Sequence, residues 1–215
     1  MAANRTTFLV DGFNLYHSLR DASRDRGNVS TKWLNLRALC ASFLPPIGGG
    51  ASLERVFYFS ALALYKLAVD VDLPNRHRTY IACLRETKVE VELAKFKTKQ
   101  RWCPGCKTSY PHHEEKETDV AIGVKLMELF HRDLCDTAVL VTGDSDLVPA
   151  VRSAKSVFPK KRVCVLWPYK RVGYELETVA DQCFKIRPDR YINNQLPNPF
   201  PLSGGQPAAI RPATW

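Results

Sequence analysis

No apolar run in this sequence approaches the length of a membrane span, and nothing near its N-terminus resembles a secretory leader. The first apolar stretch, Phe8-Leu9-Val10, is cut at once by Asp11. These absences argue against a membrane protein and lead to the expectation of a cytoplasmic one. Acid is also in short supply. Asp and Glu number 22 against 31 Lys and Arg, and the formal net charge is +9. That excess attracts polyanions. Nucleic acid is the first candidate, an acidic membrane surface the weaker one, and bare solubility the blandest. Without a leader, the seven Cys read as reduced thiols rather than a disulfide frame. A glycine fingerprint is missing too. Val10-Asp11-Gly12-Phe13-Asn14 lacks the later glycines that admit a pyrophosphate, which argues against a dinucleotide-binding oxidoreductase.

What is present suits one soluble α/β domain. The chain has 215 residues, 45% apolar and 25% charged, enough for a sizeable core. Short apolar runs at 6–10, 55–59, 89–96, 138–141, 162–166 and 183–186 read as strands. Helical spacing or helix-start chemistry marks 15–19, 33–44, 75–84, 118–130, 146–157 and 174–180, with Pro45-Pro46 stopping the second. Strands that are continuous apolar runs, alternating with helices, predict a mostly parallel sheet covered on both faces. Right-handed crossovers then give a three-layer α/β/α sandwich. We read residues 1–190 as that domain, 97–113 as a small Cys-containing insert, and 191–215 as an irregular Pro-rich tail. Residues 196–215 hold five Pro, two Gly and one charged residue.

In such a sheet the ligand site lies beyond the carboxyl ends of the strands. Asp11 follows the first strand directly. Asp144 and Asp146 follow 138–141 through Thr142-Gly143. Asp119 falls in the first turn of the 118–130 helix, on the stripe of Ile122, Gly123 and Leu126. An inward carboxylate needs a partner, and a hard divalent ion such as Mg²⁺ or Mn²⁺ suits it. Crowded carboxylates repel one another unless a cation neutralises them. Gly123 would let this helix sit close to the sheet. Asn14 and Ser60 are expected at the same edge, holding water or a phosphate oxygen. Each acid also has a plainer explanation as a turn, cap or helix-dipole residue, and Asn14 as a turn residue. Three separate segments placing acids on one edge is what favours a metal site.

The segments FLVDGFNLY (8–16), EEKETDVAIGVKLMELF (114–130) and VLVTGDSDLVPAV (139–151) carry a recognisable pattern. Together they resemble the NYN domain, a branch of the PIN-like nuclease superfamily, with LabA-like proteins as the nearest group. The resemblance spans roughly residues 6–187. It implies a three-layer fold with a central parallel sheet and Mg²⁺- or Mn²⁺-dependent hydrolysis of phosphodiesters, usually RNA. It implies Asp11, Asp119, Asp144 and Asp146 as the acidic cluster and Asn14 as its polar companion. Lys116 matches a lysine often seen in the second motif, where it would touch substrate phosphate. Single-stranded RNA is the expected substrate, and the sequence leaves a homodimer open.

The insert 97–113 reads KTKQRWCPGCKTSYPHH. Cys103-Pro104-Gly105-Cys106 is a C-x₂-C knuckle, and with His112 and His113 it would supply four ligands to a structural Zn²⁺. Adjacent histidines rarely serve one ion, so the fourth ligand would come from elsewhere, and metal-free thiols remain open. Lys95, Lys97, Lys99 and Arg101 alternate, so in an extended segment they share one face. Trp102 and Tyr110 lie among them and suit stacking on unpaired bases, which makes this insert a candidate flexible substrate arm. Lys160-Lys161-Arg162 and Lys170-Arg171 form a second basic group, better read as a solvated face. Two rival functions remain. Asp144-Ser145-Asp146-Leu147-Val148 fits the D-x-D-x-V pattern of haloacid-dehalogenase-like phosphatases, but follows the fourth strand instead of the first. A non-catalytic RNA-binding protein on the same fold is the other.

Overall fold

The computed structural model describes residues 4–67 and 70–215, apart from the side chains of residues 114–116. The elements in chain order are β1 (Asn4–Asp11), α1 (Gly12–Asp25), α2 (Leu36–Ala41), α3 (Leu44–Ile47), β2 (Ala51–Ala61), α4 (Asp72–Glu86), β3 (Glu90–Cys103), β4 (Thr108–Lys116), α5 (Thr118–His131), β5 (Thr137–Val141), α6 (Val148–Val157), β6 (Arg162–Trp167), α7 (Tyr174–Glu177), β7 (Gln182–Lys185) and α8 (Pro188–Asn193). The sheet runs β4-β3-β2-β1-β5-β6-β7, all parallel except the β3/β4 pair. This is the expected α/β class with a mostly parallel central sheet. Among the described residues no helix is long and apolar enough to cross a membrane.

Alternation along the central strands builds a core on each face. Phe8 and Val10 of β1 and Val56 and Tyr58 of β2 face α1, α2 and α4. Leu9, Phe57 and Phe59 face α5 and α6. All five residues of β5 are buried. From β1 the chain moves outward through β2 to β3, then returns and moves the other way through β5, β6 and β7. The reversal lies between β1 and β5, and their carboxyl ends open the crevice where α/β sheets bind ligands.

Several expectations change. The helix expected over 33–44 is two short ones, with Asn35 capping α2 by accepting the Ala38 amide at 3.0 Å. Pro45 and Pro46 sit inside α3 rather than ending a helix, because an early helical turn tolerates proline. Gly123 brings α5 against α6, not against the sheet, since a Cβ there would stand 3.1 Å from Ala150 Cβ. The 97–113 insert, expected as a flexible arm, is built of two paired strands. β3 pairs with β2 only over its first residues, then runs on as a two-stranded ribbon with β4. The Pro-rich segment is largely irregular yet docked. Leu196, Phe200 and Ala209 are buried, Trp33 Nε1 donates to the Pro197 carbonyl at 3.0 Å, and the Trp215 ring meets Trp33 and Tyr80.

Candidate active site

Asp11 ends β1 and caps α1 with the same carboxylate. Its Oδ1 accepts the amides of Phe13 at 3.1 Å and Asn14 at 2.9 Å, and its Oδ2 accepts the Thr142 hydroxyl at 3.0 Å. Capping and site-building are therefore not alternatives here. Asp11 shares the sheet face of Leu9, two residues earlier, and so points toward α5. Asp119 in the first turn of α5 meets it there. Asp144 caps the 3₁₀ turn Ser145–Leu147 by accepting the Asp146 amide at 3.0 Å.

Oxygens of Asp11, Asp119 and Asp144 all lie within 4.8 Å of one another. Among the described residues this is the only such group of three or more His, Cys, Asp and Glu. Asp146 stands outside it, exposed, and contributes at longer range. The Asp119 carboxyl is pushed up to about 6, first by burial and then by the negative charges of Asp144, Asp11 and Asp146. A cluster of this kind is relieved by a cation. Three carboxylates are the donor set of a hard divalent ion such as Mg²⁺ or Mn²⁺.

The loop after β5 is held tightly. Asn14 Oδ1 accepts the Gly143 amide at 3.2 Å, pinning the first turn of α1 to this loop. A Cβ on Gly143 would lie 2.4 Å from the Arg171 carbonyl oxygen, and one on Gly173 2.4 Å from that of Gly143. The two loop backbones therefore touch, which only glycine permits. Arg171 pairs in turn with Asp21 of α1 at 2.6 Å.

The other sequence candidates lie elsewhere. Ser60 is within β2, not beyond it, and alternates with Phe59, so it faces away from α5. It lines a cavity that none of the four aspartates line. Lys97, Lys99 and Arg101 do alternate along β3, but Lys97 pairs with Glu117 at 3.7 Å and has Glu114 directly across in register. Glu117, just past β4, thus sets an acid against the strand's basic face. Tyr110 lies across from Arg101, while Trp102, 63% exposed, projects from the opposite face. The Lys116 side chain lies outside the described residues; its backbone ends β4, opposite Lys95.

The four-ligand zinc set is corrected. Cys103 and Cys106 flank the ribbon's turn, with Cys103 opposite Thr108, whereas His112 is opposite Lys99 and His113 opposite Thr98. Four rungs of ladder separate His112 from the cysteine end, roughly 13 Å along the strand. Ligand atoms on one zinc lie within about 4 Å of each other. His113 is engaged instead by Thr98 at 2.9 Å and by stacking on Tyr65 at 3.8 Å. The Cys106 thiol is lowered by hydrogen bonds with Thr108 and then Cys103.

Sequence reasoning missed Thr142. Its buried hydroxyl donates to Asp11 and accepts the Asp144 amide at 3.0 Å. The available signal was a hydroxyl residue directly between a buried strand and an acid pair.

A search of curated proteins finds no match. Among solved structures, the chain resembles a Vibrio parahaemolyticus protein of unknown function at TM-score 0.57 and 20% identity, covering 86% of this chain and 94% of that one. At that identity the likeness shows the fold alone. The family model for the NYN domain matches residues 5–187. On a match of that extent, the chain belongs to the NYN domain family, whose fold is of the nuclease type.

Proposed function

We propose that this protein is a metal-dependent endoribonuclease that hydrolyses phosphodiester bonds in single-stranded RNA. One observation carries the proposal: in a NYN domain, carboxylate oxygens from three chain segments stand within 4.8 Å at the point where strand order reverses. Asp11, Asp119 and Asp144 would hold Mg²⁺ or Mn²⁺. Such an ion, when bound, activates water and offsets charge building on the phosphate. The chain's own part is positioning. Thr142 and the α1 amides orient Asp11, Asn14 fixes the loop that carries Asp144, and Asp146 adds negative charge at the rim. Lys116, Lys97, Lys99 and Arg101 would guide the strand along the β3/β4 ribbon, with Tyr110, across from Arg101, offering its ring to an unpaired base. The LabA-like placement belongs to this proposal and rests on the three sequence motifs.

The test is incubation of a labelled single-stranded RNA with the protein and Mn²⁺, beside Asp144→Asn and an EDTA control. Cleavage by the wild type alone supports the reading. Equal cleavage by both proteins, or cleavage that persists in EDTA, overturns it. Undiminished RNA binding with no cleavage by the wild type would favour the non-catalytic alternative.

A further inference from the structure

α1 starts at the acidic site, with Asp11 as its cap. One stripe of this helix carries Phe13, Tyr16, Arg20 and Arg24, at steps of three and four residues. The first three line a cavity of about 570 Å³, the size of a small-molecule site. Arg20 and Arg24 line an adjoining hollow of about 340 Å³. Lys32 and Trp215 belong to both.

The two spaces differ in chemistry. Aromatic rings of Tyr58, Tyr65, Tyr80 and Trp215 wall the larger one. Phe13 and Tyr16 stand at its margin, 46% and 39% exposed, large rings left in water close to Asp11. Ser23, Asn28 and Thr31 join the cations in the smaller one. The guanidinium of Arg20 and the ammonium of Lys32 lie over the Tyr16 ring, 5.8 and 5.9 Å from its centroid. The nearby acids are already paired: Asp70, which also lines the larger cavity, with Arg76 of the same lining, Asp21 with Arg171 and with Arg24 of the hollow, and Asp25 with Lys170. The Lys32 ammonium is lowered by burial and by repulsion from Arg20 and Arg76. A mere packing gap does not gather crowded cations beside partly exposed rings. An anion attached to a flat apolar group would satisfy both.

We propose that this cavity receives one unpaired nucleotide of the RNA strand, its base among Phe13, Tyr16 and Trp215 and its phosphate on Arg20 and Lys32. The proposal rests on the ribonuclease reading and deepens it. Seven residues of helix separate Phe13 from Arg20, roughly 10 Å. The strand would therefore leave the carboxylates along α1.

Metal-free binding tests this separately from catalysis. Adenosine 5′-monophosphate is titrated calorimetrically into the full chain in EDTA, beside adenosine and inorganic phosphate. The mononucleotide should bind about tenfold tighter than either part, because stacking and charge-assisted contacts add. Lys32→Gln and Tyr16→Leu should each weaken it roughly tenfold. Tyr16 is partly exposed, so its replacement spares the core. The mononucleotide should also displace a fluorescein-labelled oligoadenylate. Binding no tighter than phosphate, indifference to both substitutions, or failure to displace the oligonucleotide overturns the pocket. Mononucleotide binding and displacement without any cleavage would instead sink the nuclease reading and leave the pocket standing.

Discussion

Thr142 Oγ1 donates to Asp11 Oδ2 at 3.0 Å while accepting the Asp144 amide at 3.0 Å. One buried hydroxyl thereby couples the ends of β1 and β5. Thr142→Val keeps the shape and removes both bonds. It should cost about 1–3 kcal/mol of stability, because a buried acceptor and donor lose their partner. Mn²⁺ affinity should fall roughly 10- to 100-fold, as when groups that orient metal ligands are lost. Thr142→Ser should recover most of both. Unchanged Mn²⁺ affinity in the valine variant would show that Thr142 does not position the acids.

Asp119 gives a pH dependence with a definite sign. Its folded value of about 6 lies above the ordinary 3.8, through burial first and neighbouring carboxylates second. The folded chain therefore holds this proton more tightly than the unfolded chain does. The resulting stability is present below the unfolded value and is lost as pH rises through the folded one. In EDTA, Asp119→Asn should melt above the wild type at pH 8, with the gap closing toward pH 4. Protons and cations compete for the same oxygens, so wild-type Mn²⁺ affinity should fall as pH drops below about 6. A melting difference that is constant with pH would contradict the assignment.

Gly143→Ala places a methyl 2.4 Å from the Arg171 carbonyl oxygen. Two backbones must then separate, at a cost of about 1–3 kcal/mol, and Asp144 moves with its loop. Gly105→Ala is the control, since its nearest contact is Cys103 Sγ at 3.9 Å. Denaturant melts should show a loss for the first and none for the second.

The β3/β4 ribbon makes a salt-dependence prediction. If Lys99 and Arg101 neutralise RNA phosphates, replacing both with Gln lowers the slope of log affinity against log salt by about 1.4 for a single strand. An unchanged slope, measured by fluorescence anisotropy, would remove the ribbon from the binding surface.

The central strands were legible because buried parallel strands are continuous apolar runs, as in AVLV of β5 and FLV of β1. Strand adjacency at the reversal then brings Asp11 and Asp144 together, and helical spacing turns Asp119 toward them. The ribbon was hidden for the converse reason. Lys97, Thr98, Lys99, Gln100 and Arg101 run out into solvent with no core face to impose an apolar alternation. Its register decides what shares a rung, so the distance between Cys103 and His112 could not be read from spacing. Ser60 failed on parity, since a residue inside a strand rather than beyond it faces the side its position dictates. Thr142 needed the β1–β5 contact itself.

Divalent-cation binding tests the acidic cluster most directly. Mn²⁺ titrated into metal-free protein, followed by electron paramagnetic resonance, should bind saturably to the wild type. Asp11→Asn, Asp119→Asn and Asp144→Asn should each weaken it at least about tenfold, with Asp146→Asn weakening it least. Wild-type affinity in all three single variants would contradict a metal centre built from these carboxylates.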